Sequence, residues 1–146
     1  MSLQFGKAYD ENAMEFIVIS TSEMEVRLAW LLNTHFKLSL ARVQNVLVEQ
    51  RPQDFSQHWH FQYYSDEEKL EVNLFENKSP FGALIPEWGK WDFILKLDHE
   101  REPLAPTWVN RIKAIPGIAA ALEIEISKIK TVERLIQACL QPIDKR

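Results

Sequence analysis

The sequence predicts an α+β fold in two layers, a mostly antiparallel sheet of about six strands carrying two to three helices. Three observations lead there. Several short runs alternate apolar and polar residues with the period of two expected of half-buried strands. Other segments place apolar residues three and four apart, the spacing of an amphipathic helix. The helices are separated by a long series of strands rather than alternating with them, which gives the order β-α-β-β-β-β-α-β-α.

The elements follow in chain order. Met14 to Ile19 is apolar at nearly every position, as for a central strand covered on both faces. Ser22 stands three residues before Glu25, the spacing of a capping box, and Glu23 and Arg27 make a favourable pair one turn apart, so a helix is expected from about Glu23 to Phe36. Val43 to Gln50 reads as a strand, ended by Arg51-Pro52-Gln53-Asp54. Phe55, Gln57, Trp59, Phe61 and Tyr63 then alternate with Ser56, His58, His60, Gln62 and Tyr64. After a turn at Asp66-Glu67-Glu68, Leu70, Val72 and Leu74 form the partner strand of an antiparallel hairpin.

Asn77 to Gly89 is a Pro- and Gly-punctuated connection, followed by a strand with Trp91, Phe93, Leu95 and Leu97 inward and Asp92, Ile94, Lys96 and Asp98 opposite. A short helix presents Trp108, Val109, Ile112 and Ile115 on one face and ends at Pro116-Gly117. The last strand has Ile118, Ala120, Leu122, Ile124 and Ile126 inward. Ser127 caps a final helix with Ile129, Val132, Leu135, Ile136, Cys139 and Leu140 at helical spacing. Strand, helix and strand from Trp91 to Ile126 form a crossover whose two strands run parallel.

Composition narrows the class of function. The chain, 1–146, reads as a single domain, with an apolar fraction of 46% and a charged fraction of 26%. The longest apolar runs are too short to cross a bilayer, and Met1 to Asp10 lacks a secretory signal, so the expected location is cytoplasmic, with no membrane association. Seventeen basic residues against 21 acidic ones give a net charge of −4, which disfavours nucleic acid as a partner. The segment from Ser127 onward is the one basic stretch. Cys139 cannot form an intrachain disulfide and is expected as a buried thiol.

No catalytic constellation emerges. His58 and His60 share one face of a strand, a workable spacing for two metal ligands, but no third ligand is visible; the simpler reading is two surface histidines. The aromatic residues of the same strand could stack bases, yet Asp54, Asp66, Glu67 and Glu68 flank them, so core packing is favoured. Asp98 and His99 could form an acid–base pair, but nothing positions a nucleophile and no phosphate-cradling glycine loop is present. No catalytic residue, metal or cofactor is assigned. Val26 and Trp30 lie off the Leu28, Leu31 and Leu32 stripe of their helix. That second apolar face is either covered by a loop or the last helix, or is a surface for a protein partner or another copy.

Ile85-Pro86-Glu87, followed by Trp91-Asp92-Phe93, resembles the motif of the IPExxxVDY family, small proteins of the Bacteroidetes. Leu28 to Asn33 and Ile115 to Ile126 are similar to it as well. Trp91 and Phe93 replace the motif's Val and Tyr, so a tyrosine hydroxyl is missing here. The resemblance implies a housekeeping cytoplasmic role and no particular activity. Physically, Pro86 shapes the entry to a strand, and Glu87 and Asp92 accept hydrogen bonds or form a small acidic site. The sequence therefore leads to a non-catalytic binding or adaptor module. The alternatives are a small-ligand or metal-binding protein or enzyme built on His58, His60 and Glu87, and an RNA-associated protein.

Overall fold

The computed structural model describes residues 14–125 and 130–140. The chain runs through β1 (Met14–Thr21), α1 (Glu25–Phe36), β2 (Ala41–Arg42), β3 (Val46–Arg51), β4 (Asp54–His58), β5 (His60–Ser65), β6 (Leu70–Glu76), β7 (Lys78–Ser79), β8 (Gly82–Ala83), β9 (Phe93–Asp98), α2 (Ala105–Lys113), β10 (Ile118–Ile124) and α3 (Glu133–Leu140). Short 3₁₀ turns occupy Pro86–Trp88 and Lys130–Val132. The α+β class and the six-stranded, mostly antiparallel sheet agree with the sequence pattern. The predicted cap at Ser127 and the inward position of Ile126 lie outside the described residues.

The main sheet has the order β10-β1-β9-β6-β5-β2, and every neighbouring pair is antiparallel. Since β1 is antiparallel to both β9 and β10, those two strands are parallel to each other, as the crossover through α2 requires, with β1 inserted between them. The β5–β6 hairpin also forms as expected. The Phe55–Tyr64 run, however, is two strands. It breaks at Trp59, where the Trp59 amide donates to Glu76 Oε1 at 3.1 Å, and β4 pairs instead with β3 in a separate hairpin.

Alternation along the central strands divides the interior in two. Ile17, Ile19, Val72, Leu74, Phe93, Leu95 and Leu97 point to one face, where Leu28, Leu31 and Leu32 of α1 and Trp108 and Ile112 of α2 cover them. Phe16, Val18, Phe75 and Ile94 point to the other, covered by Val48 of β3, Leu84, Ile85 and Trp88 of the loop, and Leu135 and Ile136 of α3. The second cover adds a thinner layer to the two that the pattern predicts. Strand β9 is thus buried on both faces, including Lys96, rather than half-buried.

One helix start departs from the expected capping, and another is capped from far away in sequence. At α1 the cap position is Met24 with no side-chain hydrogen bond, so the Ser22–Glu25 capping box does not form. Thr21 instead fixes the turn that leads to the helix: its Oγ accepts from the Glu23 amide at 3.1 Å and donates to the Gly117 carbonyl at 2.6 Å. Gly117 has φ +99, and a Cβ there would meet Glu23 Oε2 at 2.6 Å, so both backbone and space favour glycine. At α2 the cap comes from a distant residue. Glu15 of β1 accepts the Leu104 and Ala105 amides, each at 2.9 Å, and also bonds the His99 ring.

The loop carrying Ile85, Pro86 and Glu87 is fastened by Asn77, which has no exposed surface. Its side-chain amide donates to the Trp88 and Trp91 carbonyls at 2.8 and 3.0 Å, and its side-chain oxygen accepts the Ile85 amide at 2.8 Å. Its backbone pairs with Asp92 and Leu84. A loop held this way has one conformation because each group is a satisfied buried polar atom.

Two expectations for this region are corrected. Trp91 does not share the face of Phe93, Leu95 and Leu97, because the strand begins only at Phe93; Trp91 packs, half-buried, against the second cluster. The core tryptophan is Trp88, 4% exposed, 5.8 Å from the Phe16 ring. In β10, Leu122 is exposed and Ala121 is buried, since a register shift at Ser20/Thr21 sets Ala121 opposite Ile19.

Trp88→Ala is therefore expected to cost about 3–5 kcal/mol and Trp91→Ala distinctly less. Asn77→Ala, which strands one donor and two acceptors, should cost on the order of 3 kcal/mol. Urea unfolding of the three variants checks this ranking, and an equal or larger loss for Trp91→Ala would refute it.

Candidate functional site

The second face of the sheet is apolar on one side and polar on the other, and the strand register shows where the change falls. Phe75, Ile94 and Val18 line up across β6, β9 and β1. One step along, Gln62 stands opposite Asn73, Asn73 opposite Lys96, and Lys96 opposite Phe16; beyond that, Glu71 stands opposite Asp98. A block of polar side chains from β5, β6 and β9 is thereby enclosed.

Hydrogen bonds set the protonation of this block. Asn73 donates to Glu71 at 2.9 Å, so its side-chain oxygen is free to accept from Gln62 at 3.1 Å and from the His60 ring at 2.7 Å. His60 must then carry its proton on Nε2. Its ring lies flat on Phe75, with centroids 4.3 Å apart. Burial, together with the charge of Lys96 and against the bond to Asn73, pushes its pKa down to about 4. His60 is a neutral donor at neutral pH.

Lys96 is 1% exposed and pairs with Asp98 two residues on, on the same face. Burial disfavours its charge, but Cys139, Asp98 and Glu71, in that order, act the other way and hold its pKa above the usual lysine range. Burial raises the Asp98 carboxyl despite Lys96, and its Oδ1 is buried without a hydrogen-bond partner among the described residues. Burial likewise raises Glu71, and pushes the Cys139 thiol of α3 up to about 12, so this cysteine is protonated and unreactive.

Above this floor lies a cleft of about 520 Å³. One wall is the run Val43–Glu49, and the other is α3 through Glu133, Arg134, Gln137 and Ala138. His60 and Gln62 line it from below. Val43, Val46, Leu47, Val48 and Ala138 supply apolar surface, and four side-chain amides supply paired donors and acceptors. Arg134 donates to the Leu84 carbonyl at 2.6 Å, tying α3 to the Asn77-fastened loop.

The residues singled out from sequence are distributed as follows. His58 and His60 are both buried rather than on the surface, 0% and 3% exposed, His58 at the end of β4 and His60 at the start of β5, stacked on Phe75. His58 donates from Nδ1 to the Glu76 carbonyl at 3.0 Å and accepts from Ser56 at 2.7 Å, and burial lowers its pKa. The Ser56–His58 pair has the spacing of a nucleophile and its base, but neither residue has exposed surface for a substrate to reach. Glu87 is exposed and accepts from Thr131 at 2.8 Å. His58, His60 and Glu87 thus take separate partners, and among the described residues no group of three metal-ligating side chains converges.

Asp92 is structural. It accepts the Thr21 amide at 2.9 Å and lies 3.7 Å from the Lys78 ammonium, while Glu87 meets Thr131. Asp98 and His99 do not pair either: neighbours on a strand face opposite ways, so Asp98 meets Lys96 and His99 meets Glu15. The covering loop or last helix does not shield the extra face of α1. Val26 and Trp30 are 60% and 53% exposed, because α3 packs on the opposite side of the sheet, and Arg27 rests over the Trp30 ring.

The polar block and the cleft were missed because Asn73, Lys96 and Asp98 occupy positions that look like the wet side of an amphipathic strand. The signal that could have revealed them is the opposite charge of Lys96 and Asp98 on one face.

The lowered His60 pKa fixes a pH dependence. Its folded value of about 4 lies below the unfolded 6.5, so its contribution is fully present above pH 6.5 and declines as the pH falls toward 4. Between pH 6.5 and 5 the loss should be about 2 kcal/mol. His58 adds a change of the same sign. Glu76, held up to about 7 against an unfolded 4.5, changes in the opposite sense over the same window, so the check is a difference between variants: from pH 6.5 to 5 wild type should lose about 2 kcal/mol more than His60→Gln in urea unfolding, and an equal pH response in the two would contradict the assignment.

The chain matches no protein-family model, no curated protein and no solved structure.

Proposed function

We propose that this protein is a non-catalytic binding module of the cytoplasm that acts through contact with another protein, engaged in the cleft between β3 and α3. The observation that supports this most directly is the cleft itself. It is an apolar trough of about 520 Å³ above a neutral histidine and a glutamine, walled by side-chain amides. Such a surface offers hydrogen bonds and apolar contact without a nucleophile, a titrating base at neutral pH or a phosphate cradle. The likeness of Ile85-Pro86-Glu87 and Trp91-Asp92-Phe93 to the IPExxxVDY motif belongs to the same reading. The motif loop supports α3 through Leu84 and Glu87, and so shapes one wall of the cleft.

A second reading places the partner, or another copy of the chain, on α1. It is favoured by the exposure of Met24, Val26 and Trp30, three large apolar side chains within seven positions. A small organic ligand in the cleft is the competing occupant. RNA is disfavoured by the net charge of −4.

Affinity purification from native extract with wild type, Gln137→Trp and Trp30→Ala separates the two surfaces. Gln137 is an exposed helix position whose replacement fills the cleft at little cost to folding. The expected result is a partner retained by wild type and Trp30→Ala and lost by Gln137→Trp. Identical partners for all three would reject both surfaces, and loss confined to Trp30→Ala would move the contact to α1.

A further inference from the structure

Strand β3 has a hydrogen-bonded neighbour on one side only. It pairs with β4 from Val46 opposite His58 to Arg51 opposite Asp54, and among the described residues no strand lies along its other edge. The cleft is lined by every residue from Val43 to Glu49, without skipping. A strand that lines a cavity with its face contributes alternate residues, because successive side chains point opposite ways. An unbroken run means that the edge, with its backbone amides and carbonyls, faces the cleft. Apart from the Val43 amide, which donates to the His60 carbonyl at 3.0 Å, no backbone group of this run bonds across the cleft to another described residue.

An edge of unpaired backbone groups is a template for another extended chain. The four residues of it that line the cleft, Val46 to Glu49, extend about 13 Å, long enough to register a peptide of about four residues. The facing wall is a helix, so the trough has a hydrogen-bonding side and an apolar, amide-bearing side, the layout in which main-chain bonds give affinity and alternate side chains give specificity. Its charge also points to the occupant. Glu49 and Glu133 line it against Arg134, so two negative charges face one positive charge. Glu49 accepts the Gln53 amide, a neutral donor that leaves its charge uncompensated.

We propose that an extended segment of another protein, carrying lysine or arginine, binds in this cleft by adding as a strand to the free edge of β3. The proposal rests on the reading of the cleft as the binding site and specifies how the site is used.

The test is a displayed library of random decapeptides selected against the intact protein, followed by titration of a synthesised, enriched peptide. The peptide should carry basic residues and lose at least tenfold in affinity toward Gln137→Trp and toward the Glu49→Lys, Glu133→Lys double variant. N-methylation of its amides one at a time should weaken binding at alternate positions and spare those between, since only every second amide of an added strand faces β3. Cleft-dependent binding without that alternation would overturn strand addition while leaving the cleft reading in place. Binding indifferent to Gln137→Trp would overturn both. Failure to enrich any peptide would overturn the proposal, as would concentration-dependent pairing of the protein with itself that Gln137→Trp abolishes, or tight binding of a synthetic peptide of residues 1–13, which would give the edge to a second copy or to this chain's own segment.

Discussion

Strand β9 is buried on both faces from Phe93 to Leu97, and a strand in that position can exist only if each face of the sheet has its own cover. On one side the requirement is met simply, by two amphipathic helices over aliphatic side chains. On the other it must be met over Lys96, Asp98, Asn73 and Glu71, and a charge removed from water costs several kcal/mol unless it is paired and hydrogen-bonded. Register supplies the pairing. Antiparallel order sets Asn73 opposite Lys96 and Glu71 opposite Asp98, so the polar groups of three strands meet one another before anything is laid over them.

The cover on that side is assembled from three separate pieces of chain: the β3–β4 hairpin, the loop from Leu84 to Trp88, and α3. They are joined by polar bonds to backbone, Asn77 holding the loop and Arg134 joining α3 to it. A cover in pieces has seams. One seam is the cleft between β3 and α3, and its floor is His60 and Gln62, the margin of the polar block. The cleft is therefore a consequence of how the second face is closed, which is why the loop from Leu84 to Trp88 and the cleft belong to one construction. A separate electrostatic junction lies at the far end of β6. There burial and the neighbouring Glu25 carboxyl, against the Trp59 amide bond, push the Glu76 carboxyl up to about 7.

Much of the architecture was legible because periodicity reports local burial. Met14 to Ile19, the hairpin of Leu70 to Leu74, and the helices over Leu28 to Leu32 and Trp108 to Ile112 all stand where their patterns place them. What was not legible is burial of polar residues. A lysine at an alternate strand position has the same sequence signature in water as under a helix, so Lys96 and Asp98 passed as solvent-facing, and His58 and His60 did too. Trp91 was misplaced by one strand boundary, and the Ser22 cap because α1 begins two residues later than its pattern places it, with Met24 at the cap position. Glu15 and Asn77, which fasten α2 and the motif loop, act on residues far away in sequence, and no local spacing marks them. Val26 and Trp30 were correctly set apart from the core stripe of their helix, and they remain exposed.

The central claim is that the second face of the sheet is closed over a paired lysine and aspartate. A double-mutant cycle on that pair tests it most directly. With Lys96 sealed beneath α3, Lys96→Met should cost about 3–5 kcal/mol by leaving Asp98 buried and unpaired, and adding Asp98→Leu should recover most of the loss, since an apolar pair of similar size is tolerated where a lone charge is not. If Lys96→Met changes stability by less than about 0.5 kcal/mol, the range of ordinary surface substitutions, then Lys96 lies in water and the second cover does not exist as described.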